Sequence, residues 1–445
     1  MEKISSAFVI VMLILGTSLP VYAADGLQKE ASPDANNKHV KSVTAITEVF
    51  GDGQKISAVA LEYDRAINTS KLKTSDFTVE DKTITKIYAN TIAAKASKGL
   101  NGNYVILELA TPMISAGNGQ EHPGNDAAQK DQQIINSQKM SGPTLGSRPD
   151  KQPDSPPLVA KVTQVGNITT IAGETYRANS SVITSSKTVN LVVDDFKQFV
   201  YTDPNYNNEK LMYNLYVPKN YDPSKKYPLV LFMHDAGVVG DNPTLTLTQG
   251  LGAVIWATAK NECFVLAPQY TTVIADDNSK TTEQMDITVD LVKELEKRYS
   301  IDSNRLYNTG QSMGGMTSIA MDIKYPDMFA ASLLVACQWD AAKAAPMAKK
   351  NLWIVVSEGD NKAYPGMNAI TKVLETQGAT VSKAIWSAEA SPLELAKNVK
   401  DMLEKGCNVN YTVFKNGNHR YTWQYAYTID GIRDWLFAQV KTPKP

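Results

Sequence analysis

The chain has 445 residues, which indicates two or three domains, because domains usually contain roughly 100–200 residues. Its 45 basic and 46 acidic residues leave a net charge of −1, which argues against nucleic-acid binding, since that depends on cations that neutralise phosphates. Four histidines and three cysteines, widely scattered, exclude a disulfide framework and argue against a zinc site.

The first 23 residues have the pattern of a secretory signal peptide. A short charged start is followed by an apolar run from Ala7 to Leu15, and Val21-Tyr-Ala23 forms a small-x-small cleavage site. The apolar run is shorter than the roughly 20 residues that a membrane-spanning helix needs. We therefore predict a signal peptide over residues 1–23, a flexible segment over 24–42, and a secreted, extracytoplasmic mature chain with no membrane span.

Residues 43–193 are predicted to form an all-β, immunoglobulin-like sandwich. Short runs of β-branched and aromatic residues are separated by turns such as Gly51-Asp-Gly53 and Asn101-Gly-Asn103. The predicted strands are Ile56–Tyr63, Phe77–Val79, Ile84–Tyr88, Tyr104–Leu109, Leu158–Val162 and Thr188–Val193. Residues 115–157 are polar and rich in proline, and we expect a disordered insert there, because they have too little apolar surface to offset the entropy lost on ordering.

Residues 194–445 show a different pattern, in which strands alternate with helices. Several strands, among them Pro228–Met233 and Leu352–Val356, are continuous apolar runs, as expected of parallel strands that are covered on both faces. Met285–Tyr299 has apolar residues at helical spacing. The alternation predicts a doubly wound α/β domain with a mostly parallel sheet.

The strongest local motif is Gly310-Gln-Ser312-Met-Gly314, between the predicted strand Arg305–Asn308 and the predicted helix Met316–Tyr325. This is the context of a nucleophile elbow in an α/β hydrolase, where the turn is so tight that the residues two before and two after the serine must be very small. The helix N-terminus after the serine stabilises developing negative charge. Ser312 is therefore the predicted nucleophile.

A serine hydroxyl needs a base that takes its proton, and in this fold the acid and then the histidine follow the serine along the chain. Three of the four histidines precede Ser312, so that only His419 is able to serve. It comes just after the predicted last strand, Asn410–Phe414, and before a predicted closing helix around Ile429–Phe437. We therefore predict His419 as the general base.

The acid has to orient the imidazole and stabilise its protonated form. Asp360 follows the apolar strand Leu352–Val356 in a turn, which places it at the C-terminal end of that strand. Asp360 is the preferred candidate. Glu358 in the same turn and Asp340 after the preceding strand remain alternatives.

The tetrahedral intermediate of acyl transfer needs two backbone N–H donors. One should be the amide of Met313, directly after the nucleophile, and the other should lie in the loop that follows Pro228–Met233. In that loop Ala236 is the preferred donor, with Asp235 as the nearest alternative. We expect His234 to shape the loop by side-chain hydrogen bonds.

The stretch Tyr299–Gly315 resembles the elbow region of secreted bacterial α/β-hydrolase esterases related to polyhydroxybutyrate depolymerases and feruloyl esterases. His419–Trp423 and Ile432–Leu436 are similar to the C-terminal end of that group, and some of its members also carry an immunoglobulin-like domain before the hydrolase. The resemblance implies that Ser312, Asp360 and His419 are nucleophile, acid and base. Relatives often have His-Gly-x-Gly in the oxyanion loop, whereas this chain has Asp235 at the first glycine position.

Four further residues are candidates to line the substrate pocket. Gln338 and Trp339 follow a predicted strand, Trp386 lies in a segment inserted before the last predicted strand, and Trp423 follows the predicted base. Aromatic side chains at this edge of a sheet are able to stack on an acyl or aromatic group of a substrate. The alternative for each of them is ordinary packing.

The leading hypothesis is a secreted serine carboxylesterase that acts on a small-molecule or polymeric ester, without a metal ion or an organic cofactor. A serine peptidase of the prolyl oligopeptidase type shares the fold and the triad order, but its front domain is usually a propeller, and no blade-length repeat occurs here. A third hypothesis is a polymer-binding protein with an inactive hydrolase domain. The acyl and alcohol groups of the substrate and the oligomeric state, a homo-oligomer included, stay open.

Overall fold

The computed structural model describes residues 38–113, 142–149 and 158–441. The predicted signal peptide, most of the predicted flexible segment and most of the predicted insert lie outside these ranges, so that export stays a prediction. Within the described residues, an all-β, immunoglobulin-like domain is followed by an α/β domain with a mostly parallel sheet, as the sequence predicts. None of the described helices is long and apolar enough to cross a membrane.

The described residues of the first domain form the strands β1 (Val40–Phe50), β2 (Gly53–Ile67), β3 (Phe77–Val79), β4 (Ile84–Asn90), β5 (Gly102–Leu109), β6 (Lys161–Gln164), β7 (Ile168–Thr169), β8 (Thr175–Tyr176), β9 (Asn179–Thr184) and β10 (Lys187–Asn190). One sheet has the order β10-β1-β2-β5-β4, a second has the order β3-β6-β9, and β7 pairs with β8. Inward side chains of both larger sheets, such as Leu61 and Val162, are fully buried in one cluster. The domain is therefore a two-sheet sandwich.

The described residues of the second domain form a nine-stranded sheet from β11 (Lys197–Asp203), β12 (Glu209–Tyr216), β13 (Tyr227–Met233), β14 (Phe264–Gln269), β15 (Ile301–Gln311), β16 (Ala331–Val335), β17 (Asn351–Ser357), β18 (Val381–Trp386) and β19 (Val409–Phe414). The order is β11-β12-β14-β13-β15-β16-β17-β19-β18. β11 and β12 pair antiparallel with their neighbours, and the strands from β14 to β18 run parallel. The parallel strands therefore all end at one edge, with β15 in the middle of the sheet.

Helices cover both faces of this sheet. They are α1 (Leu245–Thr248), α2 (Leu251–Val254), α3 (Gln284–Arg298), α4 (Met313–Lys324), α5 (Ala363–Thr376), α6 (Pro392–Leu403), α7 (His419–Ala426) and α8 (Asp430–Ala438). Buried side chains of α3, α4 and α5 join one large core cluster, and those of α2, α6, α7 and α8 join another. This double cover explains why β13 is buried at every position and appears in the sequence as a continuous apolar run.

The insert departs in part from the predicted disorder. Its residues 142–149 lie on the second domain, where the Gly146 amide donates to the Val273 carbonyl and the Val273 amide donates to the Ser147 carbonyl, each at 2.8 Å. These hydrogen bonds come from a neighbouring domain. The order of this short stretch therefore comes in part from hydrogen bonds to another domain.

The turn between β1 and β2 packs against α7 of the second domain. A Cβ atom on Gly51 would overlap the backbone carbonyl group of Gln424 in α7, so the two main chains are in direct contact. Val49, near the end of β1, joins the core cluster that contains α7. Because α7 begins at His419, the first domain touches the helix that carries the predicted base.

We expect Gly51→Ala to destabilise this contact. The added methyl group has to displace the Gln424 backbone, and overpacking of this kind typically lowers the free energy of unfolding by about 1–3 kcal/mol. Gly250→Ala is the matched control, because Gly250 lies at the same contact, has an extended backbone, and would place its Cβ an ordinary 3.6 Å from the Gly51 carbonyl oxygen. Denaturant unfolding measures the free energy of unfolding of both variants. Equal values for the two variants would contradict the expectation.

Candidate active site

Ser312 lies at a strained turn between β15 and α4. Its backbone has φ 53° and ψ −120°, a conformation that is unfavourable for a residue with a side chain. Its amide donates a hydrogen bond of 3.0 Å to the carbonyl of Val335 in β16, which ties the turn to the neighbouring strand. The half-buried serine therefore stands at the C-terminal end of a central strand, which is the geometry of a nucleophile elbow.

Gly310 and Gly314 have to be glycines because the elbow packs tightly against the end of β13. A Cβ atom on Gly314 would overlap the Met233 carbonyl group, and one on Gly310 would lie 2.7 Å from the same carbonyl oxygen. No side chain fits into either space. The spacing of the two glycines around the serine thus follows from the close approach of β13 and β15, which pair at Met233 and Gly310.

His419 is the first residue of α7 and faces Ser312. The side-chain oxygen of Asn418 caps this helix by accepting a hydrogen bond of 2.9 Å from the Tyr421 amide. The Nε2 atom of His419 then lies 3.0 Å from Ser312 Oγ. The ring of Trp423, one helical turn further, contacts the imidazole edge-to-face with 4.9 Å between the centroids and supports its orientation.

Asp360 lies on the far side of the imidazole and is almost fully buried. Its Oδ2 atom is 2.5 Å from His419 Nδ1, and its Oδ1 atom accepts hydrogen bonds from the amides of Lys362 and Ala363. Burial raises the pKa of the Asp360 carboxyl, but the hydrogen bond and charge of His419 and the two amides outweigh it, so that the pKa is below its usual value. The carboxylate therefore accepts the Nδ1 proton of His419 and leaves Nε2 to accept the proton of Ser312.

The two alternative acids have other partners. Glu358 accepts a hydrogen bond of 2.9 Å from the Asn416 amide and so connects the turn after β17 with the loop that leads to His419. Asp340 caps a short 3-10 helix by accepting a hydrogen bond of 3.0 Å from the Ala342 amide. Of the three candidates, Asp360 is the one whose carboxylate is hydrogen-bonded to His419.

The amides of Ala236 and Met313, the predicted oxyanion donors, follow the ends of the paired strands β13 and β15. Ala236 begins a 3-10 helix over Ala236–Val238 and Met313 begins α4, so neither amide has a partner within its own helix. Within the described residues, neither amide donates a hydrogen bond to another protein atom. Both N–H groups are therefore available to a negatively charged oxygen atom.

His234 shapes the oxyanion loop from a buried position. Its Nε2 atom accepts a hydrogen bond of 3.0 Å from the Tyr270 amide, so Nδ1 carries the proton and donates it to the Asp235 carbonyl at 2.8 Å. Burial lowers the pKa of the His234 imidazole, although the Asp235 carbonyl and charge act in the opposite direction. A neutral imidazole therefore holds the loop in place, as the sequence suggested.

The carboxylate of Asp235 is held by two hydrogen bonds. Its Oδ1 atom accepts a hydrogen bond of 2.9 Å from the Gly237 amide, and its Oδ2 atom accepts one of 3.0 Å from the Gln311 side chain. Gln311 directly precedes Ser312, so this pair ties the oxyanion loop to the elbow. Gln311 stands at a variable position of the motif, and nothing in the sequence singled it out.

Three of the four predicted pocket residues, Trp339, Trp386 and Trp423, are more than nine-tenths buried and belong to the two core clusters. Trp386 has its ring against that of Trp353, and Trp423 also contacts His419. Gln338 donates a hydrogen bond of 2.7 Å to Asp277. Packing is therefore the role that the positions of Trp339 and Trp386 favour, whereas Trp423 packs and also contacts the predicted base.

Together, these groups form a site for attack on an acyl carbon. A hydroxyl group is hydrogen-bonded to a histidine, and the histidine to a buried carboxylate. Two amides that have no partner among the described residues follow the ends of the adjoining strands. Comparison with protein families agrees with this chemistry. The family model described as "Putative esterase" matches residues 205–430, just over half of the chain.

The chain belongs to this esterase family. A second family model, described as "Esterase Ig-like N-terminal domain", matches residues 42–177 of the esterase. No curated protein matches the chain.

Among solved structures, the esterase is similar to a thermostable esterase, with 27% sequence identity and a TM-score of 0.68, over 90% of this chain and 100% of the other. The feruloyl esterase module from Clostridium thermocellum is matched with 17% identity and a TM-score of 0.40, over 56% of this chain and 90% of the other. The first similarity extends over both domains of the esterase.

We expect Asp235→Ala to lower the kcat of the esterase on a short ester by about tenfold or more, because the loop that carries the Ala236 amide loses two of its hydrogen bonds. Asp340→Ala is the matched control, since Asp340 caps a 3-10 helix by the same type of hydrogen bond but is not bonded to Gln311. Steady-state kinetics of both variants tests this. Equal kcat values for the two variants would show that the Asp235 carboxylate does not support the oxyanion loop.

Proposed function

We propose that this esterase is a serine carboxylesterase in which Ser312 is the nucleophile, His419 the general base and Asp360 the residue that orients the base. The observation that supports the proposal most is the continuous chain of hydrogen bonds from Asp360 through His419 to Ser312, with lengths of 2.5 and 3.0 Å. The proposed steps use only protein groups, a carboxylic ester and water.

In the first half of the proposed reaction, His419 Nε2 takes the proton from Ser312 Oγ as this oxygen attacks the carbonyl carbon of the ester. The carboxylate of Asp360 stabilises the imidazolium that forms. The carbonyl oxygen becomes negatively charged and accepts hydrogen bonds from the amides of Ala236 and Met313. The bond to the alcohol oxygen then breaks, and the alcohol leaves with the proton from His419.

In the second half, water occupies the place of the alcohol. His419 Nε2 takes a proton from the water as its oxygen attacks the acyl carbon of the acyl-enzyme, and the same two amides bind the second oxyanion. The bond between the acyl carbon and Ser312 Oγ breaks, and the serine regains a proton from His419. The carboxylic acid leaves, and the site returns to its starting state.

We expect Ser312→Ala to lower kcat/KM on p-nitrophenyl acetate at least about 10³-fold, because alanine has no hydroxyl group that His419 could activate to form the acyl-enzyme. Ser318→Ala is the matched control. Ser318 lies in α4, the same helix, and its hydroxyl donates to the Gly314 carbonyl at 3.0 Å, so this change removes a serine without removing the nucleophile. Initial rates of the wild type and both variants provide the measurement.

Three results would contradict the proposal. Retention of more than a tenth of the wild-type rate by Ser312→Ala would exclude this serine as the nucleophile. Faster turnover of a peptide p-nitroanilide than of the ester by the wild type would favour a peptidase. Absence of turnover on any short ester would favour a binding protein.

A further inference from the structure

The carboxylate of Asp360 binds two different partners, one with each oxygen atom. Its Oδ2 atom lies 2.5 Å from His419 Nδ1, whereas its Oδ1 atom accepts hydrogen bonds of 3.2 and 3.0 Å from the amides of Lys362 and Ala363. These two amides belong to the start of α5, whose N-cap residue, Lys362, has no side-chain oxygen that could cap the helix. The position of the first turn of α5 therefore determines where the carboxylate meets His419.

The side chain of Lys362 ties this turn to another loop. Its Nζ atom lies 2.6 Å from Oδ2 of Asp277, which belongs to the loop between β14 and α3. The Oδ1 atom of Asp277 accepts a hydrogen bond of 2.7 Å from the side chain of Gln338, in the loop after β16. Loops that follow β14, β16 and β17, which are not all neighbours in the sheet, are thus joined at one carboxylate.

Asp277 stands on a turn that is itself held by hydrogen bonds. The buried carboxylate of Asp276 accepts hydrogen bonds of 3.1 Å from the amides two and four residues later. The hydroxyl group of Ser279 accepts one of 2.7 Å from the Asp340 amide, in the loop after β16. The backbone on both sides of Asp277 is therefore fixed, and its carboxylate is a firm anchor for Lys362.

The ion pair between Asp277 and Lys362 is open to solvent. Their side chains are 31% and 36% exposed, and pairs of this exposure contribute little to the free energy of unfolding, because water screens the charges. Removal of either charge should therefore leave the fold intact. Its effect should instead be on the position of the groups that Lys362 connects.

We propose that Asp277 is a positioning residue of the esterase, which fixes the first turn of α5 through the Lys362 side chain and so holds the Asp360 carboxylate against His419. The inference rests on the proposed carboxylesterase function and adds a residue outside the triad on which its rate depends. Printed in order along the contacts, the distances are 2.6 Å from Asp277 to Lys362, 3.2 Å from the Lys362 amide to Asp360, and 2.5 Å from Asp360 to His419.

Two single variants remove the pair from either side. Asp277→Asn removes the charge but keeps an oxygen atom for Gln338, and Lys362→Met removes the ammonium group but keeps the backbone amide that binds Asp360. We expect each variant to lower kcat on p-nitrophenyl acetate about fivefold or more, with KM within about twofold of the wild type, because a displaced acid supports the base less well. Lys362→Arg keeps the charge and should retain at least about half of the wild-type kcat.

The double variant Asp277→Asn/Lys362→Met tests whether the two residues act as one pair. Residues that act only through each other lose their effect once, so kcat of the double variant should lie within about twofold of the slower single variant. Denaturant unfolding of all variants should match that of the wild type, since the pair is exposed.

Glu375→Gln and Lys383→Met are the matched controls. Glu375 lies near the C-terminal end of α5 and forms an ion pair of 3.0 Å with Lys383 of β18, with side chains that are 41% and 48% exposed. The controls thus remove an exposed ion pair from the same helix at the end away from Asp360. Both should keep kcat within about twofold of the wild type.

A wild-type kcat in both Asp277→Asn and Lys362→Met would overturn the inference and leave the proposed function intact. A double variant whose loss is the product of the two single losses would also overturn it, because the two residues would then act independently. The same holds for a rise in KM at unchanged kcat, which indicates a contact with the substrate, and for an equal loss in the controls. Failure of the wild type to hydrolyse p-nitrophenyl acetate would instead overturn the proposed function itself.

Discussion

The backbone of Ser312, held at a positive φ, is the constraint on which the rest of this site depends. Strain of this kind costs about 1–3 kcal/mol and persists only where the surrounding structure imposes it. Here it is imposed by the end of β13, whose Met233 carbonyl leaves space for glycine alone at positions 310 and 314, and by the hydrogen bond from the Ser312 amide to Val335. Both contacts require a central parallel strand that is covered on both faces, which is what the apolar runs of the second domain provide.

The groups around the serine are fixed mainly by backbone contacts between neighbouring loops. The Gly359 amide donates to the Gly417 carbonyl at 2.8 Å, so the turn that carries Asp360 and the loop that leads to His419 are joined directly. Asp235 and Gln311 join the oxyanion loop to the elbow in a similar way. Because the backbone amides and the base are fixed in position before the substrate binds, little free energy is needed to reorganise them during the reaction. The first domain and its insert add contacts to the second domain at α7 and at Val273.

Local sequence patterns predicted the elements whose conformation is determined by residues close to one another in the chain. The strand Phe77–Val79 was predicted from its β-branched and aromatic residues, and the elbow from its paired glycines, because each pattern is typical of one backbone geometry. β18 was not predicted, because it lies at a sheet edge and has few buried positions. Other features depend on distances in the folded chain, which local patterns do not give. They are the choice among the three acids, the core positions of Trp339 and Trp386, and the pairing of Asp277 with Lys362, which lies 85 residues later in the chain. The docking of residues 142–149 was missed because their partner, Val273, lies in another domain.

The central claim is that Ser312 is the activated nucleophile of this esterase, and covalent labelling tests it most directly. The protein is incubated with a fluorophosphonate ester, which reacts with activated serine hydroxyls, and the adduct is located by mass spectrometry of the peptides. The account predicts a single adduct on the peptide that contains Ser312, formed in parallel with the loss of ester hydrolysis. Loss of hydrolysis with Ser312 unmodified, or an adduct on another serine, would contradict it.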